Sequence, residues 1–146
     1  MSTVKQLLQR KGTDVYAVKL NTTVQQALSL MSEKGCGAVL VLEGDTLAGI
    51  FSERDFARKV LSESCALDQP VECYMTAEVY AVKPETSTDE CMALMTQKRF
   101  RHLPVMSDDK LVGVISIGDI VNDVITNKDV LIRSLENYIV GHDYNQ

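Results

Sequence analysis

Val15-Tyr16-Ala17-Val18-Lys19 is written twice: it returns unchanged as Val79-Tyr80-Ala81-Val82-Lys83, 64 residues on. The same offset continues without a gap as far as Leu61 and Ile125. Thr22 falls on Thr86, Leu30-Met31 on Leu94-Met95, Lys34 on Lys98, Val41 on Val105 and Leu47 on Leu111. The stretch Gly49 to Asp55, GIFSERD, meets Gly113 to Asp119, GVISIGD. About a third of the 47 aligned positions are identical, and most others exchange like for like. An ungapped match of this length identifies an internal duplication.

Each copy reads β-α-β-β-α. The VYAVK run is rich in β-formers, and Thr22-Thr23 or Thr86-Ser87 then supplies a hydroxyl cap for a helix. Val24, Ala27, Leu28, Leu30 and Met31 recur at helical spacing, as do Cys91, Met92, Leu94 and Met95. Gly35 and Gly37 end the first of these helices. Two apolar runs follow, joined through Gly44-Asp45 in one copy and Asp108-Asp109 in the other, which is a hairpin signal. A second amphipathic helix starts at each Ser-x-x-Asp, through Phe56, Ala57, Val60 and Leu61 or Ile120, Val121, Val124 and Ile125. A unit of roughly 50 residues buries little apolar surface by itself. The expectation is therefore an α+β pseudo-twofold module whose two sheets share one core, with two clefts at the junction.

This divides the chain into a helical leader (1–14), a first repeat (15–62), a connector with a helical turn (63–76), a second repeat (77–127) and a C-terminal amphipathic helix and tail (128–146). The leader helix runs through Val4, Leu7 and Leu8. The C-terminal helix places Leu131, Leu135, Tyr138 and Ile139 on one face, which needs cover from the module or a second subunit.

Composition narrows the function. The chain of 146 residues is 45% hydrophobic and 24% charged, as a folded protein is. A net charge of −5 argues against nucleic acid as partner. No apolar stretch approaches the ~20 residues of a membrane span, and MSTVKQLLQRKGTD has no signal-peptide core. The expectation is a cytoplasmic protein. Cys36, Cys65, Cys73 and Cys91 form no C-x-x-C pair and His102 and His142 are the two histidines, so no zinc site is expected. Cys36 and Cys91 lie in apolar patterns and read as inert thiols, while Cys65 and Cys73 flank a polar segment with room for a redox role.

The tandem unit, with Gly-h-h-Ser-x-x-Asp closing its third strand (h apolar), resembles a pair of cystathionine β-synthase (CBS) domains, a Bateman module. The resemblance covers about residues 15 to 127. It rests on the two Ser-x-x-Asp stretches, on Tyr74-Met75-Thr76, and on Arg101-His102-Leu103-Pro104-Val105. The ending Leu135 to Gly141 is similar to that of stand-alone bacterial CBS pairs. The resemblance implies a regulatory sensor that is not an enzyme and has no appended catalytic domain. It implies a bound AMP, ADP or ATP, or else NAD or S-adenosylmethionine, and a homodimer of pairs, with a target enzyme as a further partner.

The residue types suit such a ligand. A helix N-terminus presents backbone N–H groups to phosphate, and Ser52 or Ser116 adds a hydroxyl. Asp55 or Asp119 can accept both ribose hydroxyls, and Gly49 or Gly113 leaves the strand bare for a sugar or base. Arg54 brings a fixed charge. The same Ser-x-x-Asp pattern also fits a capping box. By the resemblance, each aspartate faces an adenine pocket from the other copy. For Ser116 and Asp119 these are Thr22, Ala27, Gly37 and Ala38, with Val114 behind the base. For Ser52 and Asp55 they are Thr86, Cys91, Phe100 and His102, with Ile50 behind it. Arg101 and His102 reach for phosphate, and His102 is expected to titrate between pH 5 and 8. Their counterparts, Gly37 and Ala38, cannot act so, and Gly118 stands opposite Arg54; the clefts are expected to differ. The alternative is an interaction protein that docks on an enzyme, with nucleotide binding incidental or absent.

Overall fold

Thr3 opens the first helix, α1 (Val4–Lys11), in a capping box with Gln6. Next come β1 (Ala17–Lys19), α2 (Val24–Lys34), β2 (Ala38–Glu43), β3 (Thr46–Ser52) and α3 (Glu53–Val60). A single 3-10 turn (Val71–Cys73) precedes α4 (Thr88–Lys98), β4 (His102–Ser107), β5 (Lys110–Ser116) and α5 (Ile117–Tyr144). The computed structural model describes residues 2–61 and 67–144, and at 129–130 and 138–144 the backbone alone. Cys65 lies outside the described residues, as do the side chains of Tyr138 and Ile139.

The hydroxyl caps stand where the sequence places them. Thr23 Oγ1 accepts from the Gln26 amide at 3.1 Å, and Ser87 Oγ from the Glu90 amide at 3.1 Å. Gly35 ends α2 in the left-handed conformation, φ 66°. In the first repeat β1 runs parallel to β2, which pairs antiparallel with β3; in the second, β4 pairs antiparallel with β5.

The second copy of VYAVK makes no full strand. It touches β4 through one bridge, Val82 to Val105, the equivalent of Val18 to Val41 in β1 and β2. The cause is Pro104. In the first repeat the Leu40 amide donates to the Tyr16 carbonyl at 3.0 Å. Pro104 occupies the matching position and has no N–H to give Tyr80.

Two expectations are corrected. The buried apolar residues among those described, Leu40 apart, form two clusters, where one shared core was expected. Val24, Ala27, Met31, Val39, Val41 and Phe51 make the first, and Cys91, Met95, Leu103, Val105, Ile115 and Ile120 anchor the second. Each is completed by the segment that precedes the other repeat in sequence. Val71 and Tyr74 enter the first cluster; Val4, Leu7 and Leu8 of α1 enter the second. The leader is thus stapled to the second repeat. The Val4 amide donates to the Thr86 carbonyl at 2.8 Å, and Arg10 pairs with the buried Asp123 carboxylate. Second, no break separates the last repeat helix from the C-terminal one. Between Gly118 and Gly141 the sequence has neither glycine nor proline, and α5 runs on unbroken.

The strand glycines are also bare for a different reason from the one expected. A Cβ at Gly49 would stand 2.7 Å from the Thr76 carbonyl oxygen and 2.8 Å from Met75 Sδ. A Cβ at Gly113 would stand 2.8 Å from a Leu8 methyl. The protein's own crossing segments occupy the space in front of these two glycines.

Candidate functional site

Both Ser-x-x-Asp motifs are caps. The Asp55 amide donates to Ser52 Oγ at 3.1 Å, and the Ser52 amide to Asp55 Oδ2 at 3.0 Å. The Asp119 amide donates to Ser116 Oγ at 3.1 Å, and the Ser116 amide to Asp119 Oδ2 at 2.8 Å. Capping does not remove these carboxylates from the clefts. Each lines a cavity together with residues of the other repeat.

The first cavity, about 580 Å³, brings Ser52, Arg54 and Asp55 together with Phe100, Arg101 and His102. The second, about 510 Å³, brings Ser116, Asp119 and Val114 together with Gly37 and Ala38. Both volumes suit a small-molecule ligand. Gly37, Ile50 and His102 line both cavities, so the clefts share a wall. At Gly37 an added Cβ would meet nothing within 4 Å, so its lack of a side chain leaves space open at the wall the clefts share.

Four expected residues line neither cavity. Ala27 and Cys91 are fully buried in the two cores. Thr22 and Thr86 bend back instead, each accepting from the amide three residues earlier, Lys19 at 3.0 Å and Lys83 at 3.1 Å. Burial, with Glu90 adding to it, pushes the Cys91 thiol up to about 11 and keeps it protonated at neutral pH. Cys36 is half-buried and lines the second cleft, and Cys73 is exposed.

Several lining residues escaped the sequence reading. Tyr80 meets Phe100 with ring centroids 5.3 Å apart, forming an aromatic wall in the first cleft. Tyr16 lines the second cleft, where Cys36 replaces Phe100. The ammonium groups of Lys98 and Lys34 stand over these two tyrosine rings, 5.4 and 5.7 Å from the centroids. The identity of the VYAVK copies was the available signal for both tyrosines. Arg58 also faces the first cleft, as does Arg99, which belongs to the basic run Lys98 to His102 that stands out in the sequence of an acidic chain.

The aspartates differ in their remaining partners. Asp55 Oδ1 accepts from Thr76 Oγ1 at 2.9 Å. Asp119 Oδ2 is 2.6 Å from Lys11 Nζ, which also donates to the Val114 carbonyl at 2.7 Å. Lys11 ends α1, so the leader's docking on the second repeat delivers a cation to the second cleft. His102 is half-buried at the shared wall. Burial lowers its pKa, outweighing the pull of Asp119, and Lys11 and Arg101 lower it further. His102 is therefore neutral at pH 7 without a ligand, and the steady positive charge of the first cleft comes from its four arginines and Lys98.

Among the described residues no group of His, Cys, Asp and Glu is placed to hold a metal ion. No helix there is long and apolar enough to cross a membrane.

The sequence profile of the CBS domain matches residues 4–62 and 71–126, taking in α1 and the segment from Val71 along with the repeats. The CBS domain-containing protein YhcV of Bacillus subtilis is 32% identical over 128 residues, 88% of this chain and 89% of that protein. A CBS-domain protein of Burkholderia ambifaria superposes with a TM-score of 0.82 at 53% identity, covering 86% of this chain and 95% of that one. CBSX2, solved in complex with AMP, superposes at 0.68 with 27% identity, covering 88% and 99%.

Proposed function

The chain belongs to the CBS domain family as a tandem pair, and from that premise we propose that it is a cytoplasmic regulatory module sensing adenosine-containing ligands in the clefts between its repeats. The observation that carries this reading is the crossed composition of both clefts: the Ser-x-x-Asp of each repeat shares a cavity with the second-strand entrance of the other. Asp55 and Asp119 accept the ribose hydroxyls. Ser52, Arg54, Arg101 and His102 surround phosphate in the first cleft, and Ser116 does so in the second. Phe100 and Ile50 enclose the base on one side, Gly37, Ala38 and Val114 on the other. AMP, ADP or ATP fits this set. NAD is the dinucleotide counterpart, favoured by the wall at Gly37, Ile50 and His102 that the clefts share; S-adenosylmethionine supplies the same adenosine without phosphate. The AMP found with CBSX2 supports a ligand of this class.

The module reports ligand binding and leaves the ligand unchanged, acting on a target enzyme. Val121, Ile125, Leu131, Ile132 and Leu135 are all about half exposed along α5, an apolar stripe that supports a homodimer of pairs. The same stripe is where an interaction protein without nucleotide would dock.

Thermal melting with AMP, ATP, NAD and S-adenosylmethionine tests the reading. A ligand at 100 times its dissociation constant stabilises by about 2.7 kcal/mol. The expected result is a raised melting temperature with at least one ligand, lost in Asp55→Ala for a ligand of the first cleft and in Asp119→Ala for one of the second. A folded protein that shifts with none of them overturns the sensor and favours the docking protein.

A further inference from the structure

Duplication gives each residue of the first cleft a control position in the second. Arg54 corresponds to Gly118, Arg58 to Asn122, Arg99 to Gly35 and Arg101 to Gly37. All four arginines line the first cleft, and the same fold forms in the other repeat without them. The repeat fold therefore does not require an arginine at these positions. Lys98 differs, because Lys34 repeats it over the equivalent tyrosine.

Arg99 is held against its own preference. It ends α4 in the left-handed conformation, φ 61° and ψ 30°, where its mate is Gly35 at 66° and 33°. A side chain there costs roughly 1 kcal/mol. The four guanidinium groups also repel one another. Arg58 most strongly, then partial desolvation, Arg101 and Arg99, lower the pKa of Arg54. Five cationic side chains line this cleft against three carboxylates, one of them the capped Asp55, on a chain of net charge −5. The second cleft balances Lys11 and Lys34 against Asp14 and Asp119.

We propose that the first cleft is a polyphosphate seat, selecting a nucleoside di- or triphosphate over the monophosphate, whereas the second takes an adenosine ligand of lower charge. The nucleoside part rests on the adenosine reading above; the polyphosphate part rests on the arginines. Guanidinium forks bind phosphate oxygens in pairs, and a chain of two or three phosphates offers the four of them more oxygens, more negative charge and a longer reach across the cleft than a single phosphate does.

Calorimetric titration of the full chain tests this, with AMP, ADP, ATP and inorganic tripolyphosphate, in chelator and at two salt concentrations. Affinity is expected to rise about tenfold or more from AMP to ATP. Tripolyphosphate is expected to bind and to compete with ATP, and added salt to weaken ATP more than AMP. Placing the duplicate's glycines at Arg54, Arg99 and Arg101 together is expected to collapse the ATP preference to within about threefold. Arg54→Gln alone, at an exposed position, gives a smaller loss should the triple variant fold poorly. AMP binding as tightly as ATP, or a preference surviving in both variants, overturns the seat and leaves the adenosine reading standing. Tripolyphosphate binding without any adenosine ligand does the reverse.

Discussion

The two clefts descend from one sequence, and their differences are concentrated in charge. The first gathers arginines where the second has glycine or asparagine. The second has its aspartate engaged by Lys11, where in the first a neutral threonine hydroxyl, Thr76, takes that role. Both retain the capping box, the hairpin and the lysine over tyrosine. What the fold requires is therefore present twice, and what appears once is a candidate for function. The comparison also separates cap from ligand contact: the cap is common to both aspartates and leaves the cleft-facing chemistry to differ.

The largest effect should come from the strand glycines. Gly49→Ala drives a Cβ against the Thr76 backbone carbonyl, which cannot move without displacing the segment that closes the first core. A loss of about 2–3 kcal/mol in denaturant unfolding is expected. Gly113→Ala meets a flexible Leu8 methyl and should cost about 1 kcal/mol. Equal losses would mean that the two crossing segments are equally rigid.

Lys11→Ala comes next. Its ammonium bonds Asp119 Oδ2 and the Val114 carbonyl, so under the proposed reading a ligand that uses these oxygens must displace it. Removing it should tighten adenosine binding there by up to about tenfold, with a stability loss of no more than about 1 kcal/mol. Weaker binding would instead make Lys11 a ligand contact.

Arg99→Gly should stabilise the chain by about 1 kcal/mol, seen as a higher melting temperature, because glycine adopts the left-handed cap without strain. The matching change Gly35→Arg should cost a similar amount, about 1 kcal/mol. If Arg99→Gly lowers stability, the side chain holds the helix end by contacts that outweigh the strain.

The smallest effect is a pH slope. Burial lowers the pKa of His102 in the folded chain, so below about pH 6.5 the unfolded chain takes up a proton that the native state refuses. Stability should fall as pH drops from there toward the lowered native value. His102→Ala, which installs the residue of the other repeat, should remove that part of the slope. A bound phosphate would raise the pKa, so phosphorylated ligands should bind more tightly as pH falls. A slope unchanged in His102→Ala would contradict the burial argument.

The repeat, the hydroxyl caps and the hairpins were legible in sequence because they are local and written twice. The crossed clefts were legible through the family resemblance, which brought Asp55 to Phe100 and Asp119 to Gly37. Contacts between distant segments were not. Leu8 against Gly113 and Lys11 against Asp119 are set by where α1 docks, and nothing near Lys11 announces it. The missing strand at Val79 to Lys83 was hidden for another reason: its β-propensity is identical to that of the first copy, and Pro104, 24 residues beyond Tyr80, withholds the bond. Arg99 was visible in the basic run Lys98 to His102, and its left-handed conformation could have been found, since its mate Gly35 marks the left-handed cap. Thr22, Ala27, Thr86 and Cys91 were misplaced because the family pattern points to a neighbourhood, while burial and local hydrogen bonds decide which side chains reach the cavity.

The most direct test is the number and location of tight ATP sites. Calorimetry on the wild-type chain should count one tight site per chain, abolished in Asp55→Ala and kept in Asp119→Ala. Two equivalent tight sites, or one that disappears with Asp119 and survives without Asp55, would contradict the assignment of the arginine-lined first cleft as the principal nucleotide site.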